Sequence, residues 1–271
     1  MISNETKGHL VLIGGNEDKI RNREILHAIV KINNVQNIAV IPTASRYYPR
    51  QLGDKYKSAF KNLGVKKIEL LDIRTAQEAD KEENFEKIKS ADCIFFTGGD
   101  QVRLVDILQK TKLLQVIKDE YQMGKTVAGT SAGAAAASNP MIFDGDEMGF
   151  LKGSVNHSEG FGFINNFTVD THFITRGRIS RLTQFLLRGY SNFGIGLAED
   201  TGIILYPNNQ FEVIGSHIVT ILNSENVKFT NYKETNIDER FTTDGFQLGF
   251  LSPGTIYDIN KKSVIKIKKI A

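Results

Sequence analysis

Five apolar runs alternate with helical patterns over the first 138 residues, and four of them empty into glycine- or serine-bearing loops. The runs are HLVLIGG (9–15), NIAVIPTAS (37–45), KIELLDI (67–73), ADCIFFTGGD (91–100) and KTVAGTSAGAAAAS (125–138), the last turning sharply into an alanine-rich helix. Helices are expected over 19–33, where Ile25, Ile29 and Ile32 recur at helical spacing, and over 49–63, 76–90, 101–109 and 111–123. Strands alternating with helices imply βαβ units and a mostly parallel sheet. Strands that are apolar throughout, rather than at every second residue, imply burial on both faces. Ligands in such sheets bind beyond the carboxyl ends of the strands. The loops at 14–16, 43–45, 98–101 and 129–133 should therefore line one crevice. After residue 200 short strands with Pro, Asn and Gly turns suggest added antiparallel sheet. No repeat or low-complexity linker interrupts the 271 residues, so a single domain over 1–271 is expected.

Composition removes several classes. No apolar run approaches the roughly 18 residues of a membrane span. A lone Cys93 excludes a disulfide framework or a thiolate cluster and reads as a small buried hydrophobe. With no signal-peptide pattern, cytoplasmic residence is the simplest expectation. The net charge of +3 rests on five lysines within 261–271. Their alternation with isoleucine resembles a lysine-shielded edge strand and lacks the aromatic interleaving of a nucleic-acid surface. Neither Gly14-Gly15 nor Gly98-Gly99 completes a nucleotide fingerprint, so no nucleotide cofactor is expected.

The sharpest chemical signal is Gly129-Thr130-Ser131-Ala132-Gly133, a G-x-S-x-G sequence with an apolar strand before it and a helix after it. Such a turn exposes the serine Oγ and leaves the N–H of Ala132 free to hold an oxyanion. The second glycine loop, Thr97 to Gln101, could supply another oxyanion N–H from Gly99 and direct Gln101 at a substrate. A serine nucleophile needs a base, and the base needs an orienting acid. Of five histidines, His172 alone ends an apolar strand beside an Arg-rich helix start, an arrangement expected to share a sheet edge with Ser131. Glu199, at the end of FGIGLA, is the favoured acid, with Glu147 of the acidic loop 144–147 in reserve. The order Ser, His, acid differs from the Ser, acid, His order of lipase-like hydrolases. Arg176, Arg178 and Arg181, near Asp170, point to a carboxylate-bearing substrate, since guanidinium forks bind carboxylates bidentately.

The motifs IGGNEDK, IPTAS, FFTGGDQ, GTSAGA, DTHFITRGRISRL and GLAEDT stand in the order found in cyanophycinases, and over about residues 8–205 the chain resembles that serine peptidase family, which also contains peptidase E. The resemblance implies a three-layer α/β/α fold similar to class I glutamine amidotransferases, with antiparallel strands added at the C-terminus. It implies hydrolysis of cyanophycin, a poly-aspartate bearing arginine on each side chain, to β-Asp-Arg dipeptides. It also implies a homodimer without a metal. Residue by residue it makes Ser131 the nucleophile, His172 the base and Glu199 the acid, and it assigns substrate binding to Gln101, Asp170, Thr171, Arg176, Arg178 and Arg181. Three positions depart from the family pattern: Thr171 replaces the usual Gln, Asn16 a common Ala, and Ala198 a usual Asp. A peptidase E-like aspartyl dipeptidase and an inactive binder of acidic peptides are the alternatives.

Overall fold

The computed structural model describes residues 8–145 and 149–268. The first half follows the expected alternation: β1 (Leu10–Ile13), α1 (Glu24–Lys31), β2 (Asn37–Ile41), α2 (Pro49–Asn62), β3 (Lys67–Leu70), α3 (Ala76–Ala79), α4 (Glu82–Ser90), β4 (Cys93–Phe96), α5 (Gln101–Leu108), α6 (Lys112–Gln122) and β5 (Thr126–Thr130). Next come α7 (Ala132–Ala135), β6 (Met141–Asp144), β7 (Asn156–Ser158), β8 (Thr168–Asp170), α8 (Ile179–Leu187) and β9 (Phe193–Leu197). The remainder is all strand: β10 (Thr201–Leu205), β11 (Gln210–Gly215), β12 (Val219–Asn223), β13 (Phe229–Thr230), β14 (Thr243–Asp244), β15 (Gln247–Leu251), β16 (Thr255–Asp258) and β17 (Ser263–Ile267).

The central sheet has nine strands in the order β17-β16-β11-β10-β1-β5-β4-β2-β3. From β1 to β3 every pairing is parallel, and from β1 to β17 every pairing is antiparallel. Continuous apolar strands feed two cores, because neighbouring residues of a strand point to opposite faces. Val11, Ile13, Val40 and Phe95 pack with α1 and α2 on one face. Leu10, Leu12, Ile94 and Phe96 pack on the other with α5, α6 and α7. The result is the expected α/β/α arrangement, with residues 263–267 of the lysine-rich segment forming the outermost strand β17.

Three helices differ from their expected extents for local reasons. Residues 16–23 are a loop, because the Asp18 carboxylate accepts the N–H groups of Ile20, Arg21 and Arg23 and draws that stretch out of helical geometry. The 76–90 helix divides at Asp80, whose carboxylate accepts the Leu113 N–H, while Lys81 adopts an extended conformation. The alanine-rich helix lasts one turn, since Ser138 leaves it to bridge Ile164.

The added antiparallel strands do more than extend the central sheet. A second sheet, ordered β15-β12-β9-β8, packs Val169, Ile195, Leu197 and Ile221 into the α7-side core. Its other face carries α8 through Leu182, Phe185 and Leu222. The strands before His172 and Glu199 therefore belong to this second sheet and do not share an edge of the Ser131 sheet. The two residues still come together because β8 and β9 are parallel and end side by side.

Candidate active site

The site begins with a strained residue. Ser131, between β5 and α7, has φ 51° and ψ −109°, a conformation that costs an L-residue on the order of 1–3 kcal/mol. The turn is so tight that a Cβ on Gly133 would lie 2.6 Å from the Phe96 carbonyl oxygen, so only glycine fits there. The Ser131 N–H donates to the Ile13 carbonyl at 2.9 Å, which ties the turn to the end of β1.

That same strand end gathers the other two groups. The His172 N–H donates to the Gly14 carbonyl at 2.8 Å, and the Asp200 N–H to the Gly15 carbonyl at 2.9 Å. Gly15, at φ 101°, passes under the imidazole, where a Cβ would lie 2.4 Å from His172 Cε1. Ser131 Oγ consequently stands 2.8 Å from His172 Nε2, and His172 Nδ1 stands 2.7 Å from Glu199 Oε1. The Asn16 amide donates to the second carboxylate oxygen, Glu199 Oε2, at 3.1 Å. The three side chains expected to act together are within hydrogen-bond reach. Glu147, the reserve acid, lies outside the described residues.

Burial holds the His172 pKa below the ordinary imidazole value. The Arg176 and Arg178 charges act in the same direction, and the Glu199 hydrogen bond opposes them. The Glu199 carboxyl is held below its ordinary value mainly by the His172 hydrogen bond, with help from Asn16 and Arg176. At neutral pH this is a neutral imidazole backed by a carboxylate anion.

The serine opens on a cleft of about 460 Å³ lined by Asn16, Lys19, Gly98, Gly99, His172 and Glu199 among others. The 98–99 loop runs beside the nucleophilic position: a Cβ on Gly98 would lie 3.3 Å from that of Ser131. Beneath the cleft lies a cluster that was not singled out from the sequence. The Glu17 side chain is fully buried; it accepts from Thr130 Oγ1 at 2.6 Å and from the Tyr56 hydroxyl. Lys19 Nζ sits 3.3 Å from the same carboxylate and lies 5.0 Å from the centroid of the Tyr56 ring. The signals were present: an acid directly after a glycine loop, a hydroxyl just before Ser131, and one tyrosine on the inner face of a polar helix.

The remaining expected binding residues separate into two groups. Arg176 is exposed, near enough to His172 and Glu199 to affect both, and Gln101 opens α5 with its amide donating to the Phe143 carbonyl at 3.3 Å. Asp170 and Arg181 are instead each only 1% exposed and bound to each other: Arg181 Nε donates at 2.8 Å and its Nη2 at 2.5 Å. Arg178 donates to the Thr171 carbonyl at 2.7 Å, and Thr171 is itself buried. In this conformation Asp170, Thr171, Arg178 and Arg181 form the internal wall behind His172 and are not presented to solvent. Among the described residues no three His, Cys, Asp or Glu side chains are grouped to hold a metal ion, and no helix is long and apolar enough to cross a membrane. Cys93 is buried in the core with its thiol pKa pushed up by burial.

Comparison with known proteins bears on this geometry. The family model for peptidase family S51 matches residues 10–214. The cyanophycinase of Geminocystis herdmanii is 33% identical over 256 residues, 93% of this chain and 94% of that one. The cyanophycinase of Trichormus variabilis is 33% identical over 264 residues, covering 96% and 88%. A peptidase E of a Nostoc species is 24% identical over 244 residues, covering 84% and 95%. In fold, the crystal structure of a peptidase from an acI-B1 actinobacterium matches with a TM-score of 0.71 at 24% identity, covering 95% of this chain and 99% of that one. The matched span contains the whole serine, histidine and glutamate arrangement, and the chain belongs to peptidase family S51.

Proposed function

We propose that the protein is a serine-type exopeptidase that cleaves cyanophycin, or closely related β-Asp-linked peptides, to β-Asp-Arg dipeptides through an acyl-enzyme. The observation that carries this reading is the continuous relay from Ser131 Oγ through His172 to Glu199, at 2.8 and 2.7 Å, opening on a cleft. His172 removes the Ser131 proton as Oγ attacks the scissile carbonyl. The charge that develops on the carbonyl oxygen is met by backbone N–H groups. Ala132 is the first residue of α7, so its N–H has no acceptor within the helix. Gly99 brings a second N–H from a loop that lines the same cleft. His172 then protonates the leaving amine, and water attacks the acyl group by the reverse sequence.

The substrate class rests on charge. Arg176 is a solvent-facing guanidinium whose charge reaches the relay, suited to a substrate carboxylate, and Gln101 at the start of α5 has an amide that could exchange the Phe143 carbonyl for substrate. The relatives named cyanophycinase cover nearly the whole chain, which favours the polymer over other aspartyl peptides. A second reading, an aspartyl dipeptidase, is favoured by Thr171: it is buried and shorter than the usual Gln, leaving one fewer amide for an arginine side chain. Incubation with cyanophycin and with Asp-X dipeptides, followed by mass analysis of products, separates the two. Release of β-Asp-Arg is expected, and cleavage of Asp-X dipeptides alone would overturn the first reading. We further propose that the protein acts as a homodimer, as the family resemblance implies, and in the cytoplasm, where a single buried unpaired cysteine is at home. Light scattering at working concentration tests the dimer.

A further inference from the structure

The relay cleft does not end at Asn16 and Lys19. Both residues also line a larger cavity of about 800 Å³, in the range of ligand-binding pockets, between the 16–23 loop and the outward face of α2. We propose that this groove is the subsite for the part of a longer peptide that continues beyond the scissile bond. The proposal rests on the peptidase reading above and extends it to how a polymer is gripped.

Three observations carry it. The first is continuity: two shared residues join the groove to the cleft that holds Ser131. The second is rigidity. Asp18 accepts three backbone N–H groups of its own loop, and its N–H donates to Asp200 at 2.9 Å, beside Glu199. The Arg23 Nε closes the loop on the Lys19 carbonyl at 2.9 Å. The groove wall and the relay acid therefore form one body, and a chain lying in the groove keeps its register with Ser131 without an ordering cost on the protein side. The third is charge. The loop wall carries Lys19 and Arg23, while α2 offers exposed Asp54 and Lys55 beside Gln51. A polyanion would meet Asp54, and a polycation would meet Arg23 and Lys55. A chain in which every side chain ends in both a carboxylate and a guanidinium finds a partner for each sign.

The test replaces the two outer charges together, Asp54→Ala and Lys55→Ala. Both side chains are exposed and alanine favours a helix interior, so folding is unaffected. Hydrolysis is compared on cyanophycin chains and on a segment of only two β-Asp-Arg units. For long chains kcat/KM should fall by about tenfold, chiefly through KM, while the two-unit segment is cleaved as before. An equal loss on both substrates, or no loss on either, overturns the groove. If the unsubstituted protein cleaves neither substrate, the peptidase reading fails separately. The groove is then read by anisotropy of fluorescein-labelled cyanophycin on the Ser131→Ala protein. Weaker binding after the two α2 substitutions supports the subsite, and unchanged or undetectable binding overturns it.

Discussion

Ser131 keeps a backbone conformation that few side chains tolerate, and its neighbours explain why it can: glycine at 133, alanine at 132, and a hydrogen bond from its own N–H to the end of β1. His172, at φ 48°, is held in a similarly uncommon conformation by the Gly14 carbonyl. Two residues forced into the left-handed region at one cleft mark the place where function outweighs local stability. In the proposed mechanism His172 works as a base only when neutral. Burial lowers the His172 pKa from 6.5, so the proton leaves at a lower pH than from an ordinary imidazole. The acidic limb of the kcat/KM profile should accordingly have its midpoint below 6.5, with a plateau through neutrality. A midpoint above that value would contradict the assignment. Removing Glu199's charge, as in Glu199→Gln, takes away an attraction that raises the pKa, so the midpoint should move lower still as the rate collapses. Asn16 holds the outer oxygen of that carboxylate and itself sits at φ 51°, where asparagine is tolerated better than alanine. Asn16→Ala is expected to lower kcat by about 5–10-fold, roughly one hydrogen bond in the transition state, even on the two-unit segment. A change confined to KM would mean that Asn16 serves only as wall of the cleft and groove and does not orient Glu199.

At the scale of elements, the serine turn was legible because a strand, a small-residue bend and a helix follow one another within a few positions of a single stretch. The second sheet was not. An apolar run such as FGIGLA reveals a buried strand but not which sheet receives it, because pairing partners are set by tertiary packing. The same limit applies to DTHFITRGRISRL. The sequence shows three arginines near one aspartate; it cannot show that Arg181 and Asp170 satisfy each other inside the protein and tie α8 to the end of β8. That buried pair gives a prediction of its own. Arg181→Met strips Asp170 of its principal counter-charge, and removing one partner of a buried pair costs about 3–5 kcal/mol. Urea titration should show the loss as a lower midpoint at unchanged slope. A variant as stable as the parent would imply that Arg181 is presented to ligand and that its pairing contributes nothing to the fold.

Across the whole molecule, two cores on opposite faces of the nine-stranded sheet keep β1, β5 and β4 in fixed register, and their carboxyl ends carry the loops that form the cleft. Long-range order of this kind also explains the Glu17 cluster, which joins the loop after β1, the end of β5 and the inner face of α2. Thr130→Val removes one donor to a buried carboxylate, an expected cost of about 1–3 kcal/mol, and loosens the residue next to Ser131. Thermal denaturation checks the first effect; unaltered stability would show that water replaces the hydroxyl. The central claim is that a hydroxyl, an imidazole and a carboxylate from three distant stretches act as one unit. Its most direct test is the rate of cyanophycin hydrolysis by Ser131→Ala protein of verified fold. The account predicts a fall of about 10⁴-fold or more, to the level left by oxyanion and binding contacts alone. Turnover at the parental rate would contradict it.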